Sequence, residues 1–358
     1  MGGFYQARLV LGKLQLLGYS LVHPGGCDLK SVSTFHHVSG GAWKGLVVLL
    51  LLAAAVFVGS LLVGSAGLAP GRILAALLGS GDSVARSVTL AVRLPRTLAA
   101  FGVGSLLALA GVLLQALFRN PLADPFVLGV SGGAAVGALL AMIAGAAMLT
   151  IQGSAVVGAV VAVVIVHLLA RSGGTTRLLL TGVVLASACG AIVTVLLSVA
   201  DASSLRGMVF WLAGDLEWAL NPWASAITAV CAVAFGVLMA RPLNVLAAGE
   251  LRARSVGMNL EAWRSFVFVG CAVLTAVAVV SAGTVGFVGL VTPHLVRLAF
   301  RTSDHRVVAP ASALLGGTLL ACADVAARTV VAPRQLPVGA IMALVGAPLF
   351  IALLRRRG

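Results

Sequence analysis

The sequence predicts an all-α membrane protein with about ten transmembrane helices. Three observations predict it. Of its 358 residues, 60% are hydrophobic and only 9% charged, whereas a soluble domain carries about 25% charged residues. No soluble core could bury that much apolar surface, so lipid must be the solvent. Apolar runs of roughly the length that crosses a bilayer, about 20 residues, follow one another from residue 45 to 354 with short polar breaks. The 43 glycines are dispersed through those runs, as expected where helices pack through small residues. A membrane β-barrel would show short alternating segments instead, and none is visible.

Taken in order, residues 1–44 precede the first run. They contain polar residues and three histidines, with no span and no convincing signal-peptide pattern. They are expected to be a cytoplasmic tail and are assigned no function. A polytopic membrane domain is expected over 45–358. Its predicted spans are 45–64, 94–114, 126–145, 149–169, 178–199, 223–240, 264–282, 286–300, 308–330 and 337–354. The eighth is short and needs neighbours to cross. Residues 242–264, PLNVLAAGELRARSVGMNLEAWR, form a polar amphipathic break of a size suited to holding something soluble. A second amphipathic piece, Leu205 to Trp223, carries Trp211, Trp218 and Trp223, which suit a membrane interface.

The net charge is +14, but the basic residues sit mostly singly between apolar runs. That distribution argues for membrane orientation rather than nucleic acid. An even number of spans puts both termini on one side. Lys44, Arg119, Arg171, Arg177, Arg241, Arg252, Arg254, Arg264, Arg297, Arg301, Arg306 and the closing Arg355 to Arg357 fall on that side, against a smaller set at Arg72, Arg86, Arg93, Arg96, Arg206, Arg328 and Arg334. Both termini and the 242–264 loop are therefore expected in the cytoplasm, with the chain in a plasma membrane. The five cysteines have no metal-ligand spacing and read as small apolar residues. No cofactor and no metal site is expected. No phosphate-cradling G-x-x-x-x-G-K-[ST] is present, so a nucleotide that drives this chain must sit on a partner.

Three stretches carry a family resemblance. They are RLPRTLAAFGVGSLLALAGVLLQALFRNPLADPFVLGVSGGAAVGA from Arg93, LAAGELRARSVGMNLEAWR from Leu246, and GTVGFVGLVTPHLVRLAFRTSDHR with LACADVAARTVVAPRQLPVGAIMALVGAPLF after it. Together they resemble the permease of type II ABC importers, which bring vitamin B12, ferric siderophores and haem into bacteria. The resemblance covers most of the chain from about residue 45. It implies ten helices per subunit and a homodimer. It further implies two cytoplasmic ABC ATPases that hydrolyse ATP on their own chains, and a periplasmic substrate-binding protein. An iron complex is the preferred cargo, with cobalamin the other member of the class.

The resemblance also implies roles. Arg93, Arg96 and Arg328 match arginines that dock the binding protein. Arg93 and Arg96 are three residues apart and share a helix face. The segment with Glu250, Arg252, Arg254, Gly257 and Trp263 matches the coupling helices that sit in the ATPase, with Gly257 turning the chain between two short helices. Asn120 and Leu122, in RNPLADP, and Thr175 and Thr176, in GGTTR, match the cytoplasmic gate, where Pro121 and Pro125 break the helix.

From the residues themselves, Asp324 reads as an i,i+4 partner of Arg328. Gly129, Gly133 and Gly137 read as helix packing. Two other functions remain. An ion-coupled secondary transporter would need charged groups near mid-bilayer, and few are present. An intramembrane serine protease would have to use Ser131 with His167 or His294.

Overall fold

The computed structural model describes residues 40–64, 67–80, 82–170, 174–219 and 221–355. Residues 1–39 of the predicted 1–44 tail, Cys27 among them, and most of the closing arginine run lie outside them. The described residues form helices joined by short turns.

Helix α1 (Gly40–Leu62) is the first apolar helix. Two short helices follow, α2 (Pro70–Leu77) and α3 (Ser83–Ser87). They were not foreseen as elements, being too short to show a hydropathy period. Asp82 caps α3 by accepting from the Ala85 N–H, and its side chain also ion-pairs with Arg72. A π-helical turn, Val88–Arg93, then runs without a break into α4 (Leu94–Phe118). Helix α4 is the axis of the bundle, buried on nearly every side. Its small residues permit this. A Cβ on Gly104 would lie 2.3 Å from the Gly316 carbonyl oxygen, and one on Gly111 would lie 1.9 Å from that of Gly289. In lipid, where apolar side chains gain little from leaving the solvent, such backbone approach is what holds helices together.

A 3₁₀ turn, Pro125–Leu128, leads into α5 (Val130–Ile143), which packs against α6 (Met148–Ala170). Gly133 and Gly137 act there as predicted, with backbone oxygens of Gly158 and Ser154 at 2.4 and 2.1 Å from the position of a Cβ. Gly129 does different work. Its φ of 75° ends the 3₁₀ turn and starts α5, a conformation that favours glycine. Helix α7 (Gly174–Val199) is largely exposed along its length.

Helix α8 (Ala202–Ala213) and the 3₁₀ turn Leu216–Trp218 occupy the second predicted amphipathic piece. Trp211 corrects its expected role. It is 1% exposed and packs with Met208 in the core, because α8 folds back onto the bundle rather than lying at an interface. Trp223 is exposed.

Helix α9 (Pro222–Leu238) bends by 62° into α10 (Ala240–Ala247). The first part of the predicted 242–264 loop is therefore a helix that buries Ala240, Leu243 and Leu246. Next come α11 (Glu250–Ser255) and α12 (Leu260–Ala282). Helix α13 (Val288–Phe300) has 13 residues, roughly 20 Å at 1.5 Å per residue. It is entered through residues 283–287, whose backbone is shielded by α8: a Cβ on Gly283 would meet the Trp211 carbonyl oxygen at 2.1 Å. Irregular backbone is tolerated at membrane depth when protein covers it. Helices α14 (His305–Thr329) and α15 (Val338–Arg355) complete the chain.

Six of these helices are long and apolar enough to cross a membrane, and the bent α9–α10 pair makes a seventh candidate. Helices α5, α13 and α15 are shorter and apolar. Each of the ten predicted runs corresponds to one of these elements. Cys189 and Cys271 are buried, and Cys231 and Cys322 exposed, all four as free thiols.

Candidate functional site: two charged ends of one bundle

The charged side chains gather at opposite ends of α4. At its first turn lie Arg93, Arg96 and Arg328, but not as exposed charges. They are 3%, 8% and 5% exposed. Arg93 Nη1 donates to the Leu61 and Leu62 carbonyls at 2.8 and 3.1 Å, closing the last turn of α1. Arg96 Nε donates to Asp324 Oδ1 at 2.8 Å, and its Nη1 donates to Gln335 Oε1 at 2.7 Å and reaches Glu217 Oε1 at 3.4 Å. Arg328 Nε lies 2.9 Å from Asp324 Oδ2, and its Nη2 donates to Ser60 Oγ at 3.2 Å. Ser60 Oγ is in turn 2.9 Å from Thr97 Oγ1. The predicted Asp324–Arg328 pair is present, and Arg96 makes it a triad.

The expectation that Arg93 and Arg96 share a helix face is corrected, because the two serve different neighbours. The π-helical turn shifts Arg93 out of the α-helical register of α4, so Arg93 caps α1 while Arg96 turns to α14. The physical reason is Asp324, which is fully buried. A buried carboxylate needs cationic partners. Three carboxylates, Asp215, Glu217 and Asp324, lie around Arg96. Burial is the first cause that lifts the Asp215 carboxyl above the usual carboxylate range. Only Glu217 in this group is well exposed, at 57%.

At the other end, α11 is bordered by two glycines with positive φ. Gly249 (φ 113°) makes the sharp turn between the short helices α10 and α11. Gly257 (φ 77°), predicted for that turn, instead joins α11 to the long α12. Of the six residues of α11 only Ala253 is buried. Arg252 and Arg254 are exposed, and so is Leu251, at 87%. An apolar side chain that exposed, on a charged helix, was not singled out from the sequence. Its only signal there was one leucine between charges. Glu250 accepts from Arg264 and lies 3.6 Å from Arg119 Nη2. Trp263 is on α12, edge-on to Phe266 at 5.6 Å.

The predicted gate residues lie at this same end. Arg119 ends α4 in the left-handed region (φ 50°). Asn120 Oδ1 then accepts from the Leu122 N–H at 2.9 Å, a side-chain turn that leaves both residues exposed. Asp124 caps the 3₁₀ turn by accepting from the Phe126 N–H at 2.9 Å, and burial pushes its carboxyl above the usual range. Thr175 and Thr176 fall in the first turn of α7, after Gly174 with φ 69°. Thr175, Leu117, His167, Glu261 and Arg264 line a cavity of about 90 Å³ between α4, α6, α7 and α12. Asn244, on α10, donates to Asp304 at 2.8 Å and accepts from the His305 N–H at 3.0 Å, tying α10 to the start of α14. His167 stacks on Phe268, and His294 packs edge-on to Phe350.

Residues 49–356 match the model of the FecCD transport family. The chain is 38% identical over 278 residues to the vitamin B12 import system permease protein BtuC of Escherichia coli O127:H6, covering 75% of this chain and 83% of that protein. The match to BtuC of Escherichia coli K12 has the same identity and coverage. Among solved structures, a metal-chelate type ABC transporter in an inward-facing conformation superposes with a TM-score of 0.77 at 31% identity, over 87% of this chain and 99% of that one. The PsaBC complex of Streptococcus pneumoniae shares the fold, with a TM-score of 0.52 at 18% identity over 75% of this chain and 92% of that one. These matches set aside the protease and the secondary transporter. The chain is a multi-pass membrane protein, a transport subunit and not an enzyme, and it belongs to the FecCD transport family of ABC importer permeases.

Proposed function

We propose that this chain is the membrane path of an ATP-driven importer for a large metal-chelate compound. Cobalamin is the member of that class that the named relatives support, and ferric siderophores and haem are the others. The observation that carries the ATP-driven reading is the outer surface of α11. Leu251, Arg252 and Arg254 project from a six-residue helix anchored by one alanine. An exposed apolar group flanked by charges is the make-up of a protein contact. A cytoplasmic ABC ATPase on each of two copies of the chain supplies that contact. The largely exposed face of α7 is where the second copy packs.

The orientation follows from charge. The α11 end collects Arg119, Arg252, Arg254, Arg264 and Arg301 and faces the cytoplasm, with both termini. The opposite end receives a periplasmic binding protein. Docking on Arg96 there proceeds by exchange, with a partner carboxylate taking the place of exposed Glu217, while Asp324 stays buried. Arg93 and Arg328 hold the rim in shape. Asn120, Leu122, Thr175 and Thr176 close the path at the cytoplasmic end until the ATPases move α11.

The test is ATP hydrolysis by the chain reconstituted in lipid with its cognate ATPase. The cognate binding protein is added empty or loaded with cobalamin, haem or a ferric siderophore. The expected result is stimulation by the binding protein, largest with the transported ligand, followed by uptake of that ligand into vesicles. A chain that assembles no ATPase contradicts the proposal.

A further inference from the structure

The sequence singles out Arg119 only by its positive charge, yet it lies where two features meet. Its guanidinium is 3.6 Å from Glu250 of α11. A Cβ on Gly249, the turn before α11, would lie 3.5 Å from Arg119 Nη1, so the arginine lies beside that turn. Its own backbone, at φ 50°, caps the C-terminus of α4 just before the Asn120–Leu122 turn. The same Glu250 carboxylate also accepts from Arg264, which lines the cavity shared with Thr175. One carboxylate on α11 thus contacts the arginine that precedes the Asn120–Leu122 turn and, on α12, an arginine that shares a cavity with Thr175.

Helix α11 has few other holds on the bundle. Ala253 is its one buried residue, and the turn into α12 is tied back to it by the Met258 N–H to Ala253 carbonyl bond at 3.0 Å. The ion pair itself is open to solvent, with Glu250 and Arg119 side chains 40% and 45% exposed. Exposed pairs of this kind contribute little to stability, so the arrangement is poorly explained as a fold determinant. A loosely held helix with charged contacts at Arg119 and Arg264 is the kind of element whose position a partner can bias.

We propose that Arg119 is a positioning residue that passes movement of α11 to the Asn120–Leu122 turn through Glu250. Arg264 forms the second branch, toward Thr175. The proposal rests on the reading of α11 as the ATPase contact.

The test uses the full chain with its cognate ATPase in nanodiscs, with the native cysteines replaced and Leu122→Cys as a reporter. The labelling rate of that cysteine by a water-soluble maleimide is measured without nucleotide and with ATP plus vanadate. In the otherwise unaltered chain, ATP changes the labelling rate. Arg119→Gln is expected to shrink that change at least fivefold, while ATPase copurification and the thermal unfolding midpoint stay as they were. Arg119→Lys is expected to keep most of the response, and the swap Arg119→Glu with Glu250→Arg to restore part of it. A full ATP response in Arg119→Gln overturns the proposal. So does loss of ATPase copurification in that variant, because Arg119 would then be an ATPase contact and not a relay. Failure of the unaltered chain to capture the ATPase overturns the functional reading before any variant is scored.

Discussion

The two ends of α4 both carry arginine–carboxylate contacts, and they differ in burial. At the Arg96 end, Asp324 is wholly enclosed and shared by two arginines that are themselves nearly inaccessible. At the Glu250 end, each partner of the pair with Arg119 is about half open to solvent. Removing one partner of a buried pair strands the others in a medium that cannot solvate them. Removing one partner of an exposed pair lets water take its place. The same residue types therefore build a fixed rim at one end and an adjustable contact at the other. That difference matches what an importer needs, a stable mouth and a movable floor.

The largest expected effect breaks the rim. Asp324→Asn leaves Arg96 and Arg328 without their shared anion and should cost about 3–5 kcal/mol. The check is a fall in the thermal unfolding midpoint, or loss of monodisperse protein in detergent. Arg119→Gln, at the other end, should stay within about 1 kcal/mol in the same assay. Equal losses at the two ends would erase the comparison.

A smaller effect sharpens the role of α4 as the axis. A Cβ at Gly111 would sit 1.9 Å from the Gly289 carbonyl oxygen. Gly111→Ala should therefore force α4 and α13 apart at a cost of about 1–3 kcal/mol, read as a lower unfolding midpoint. Gly153→Ala, where a Cβ meets nothing within 4 Å, is the control and should change little.

The smallest expected effect concerns pH at the turn that follows α4. The Asp124 carboxyl is raised by burial, so its folded-state pKa lies above its unfolded one. The charged form penalises the fold above the raised value, and the penalty fades as pH falls through it. Asp124→Asn keeps an acceptor for the Phe126 N–H and removes the titration. The variant should be at least as stable as the parent at neutral pH, and should lose the stability gain that the parent shows on mild acidification.

Hydropathy made the architecture legible because a bilayer imposes span length on every apolar run. The short eighth span was readable for the same reason, and the structure supplies the neighbours it needs in α4 and α14. The direction in which a charged side chain points was not legible. Arg96 meets Asp324 across 228 residues of sequence, and a π-helical turn before α4 alters the register of Arg93. Trp211 looked interfacial because three tryptophans lie close in sequence, yet α8 turns its Trp211 face into the core. At the Glu250 end the segment was legible from its charge, while the exposure of Leu251 and the Arg119 contact depend on how α10 bends. The i,i+4 pairing of Asp324 with Arg328 was readable, because helical spacing alone brings those two together.

The measurement that tests the central claim most directly is copurification of the cognate ABC ATPase with a chain in which Glu250–Ser255 is replaced by a Gly/Ser linker of equal length. The account predicts that the ATPase is lost while the unfolding midpoint of the permease is nearly unchanged, because α11 buries one alanine and the rim lies at the opposite end. Retained copurification would place the coupling surface elsewhere and contradict the account.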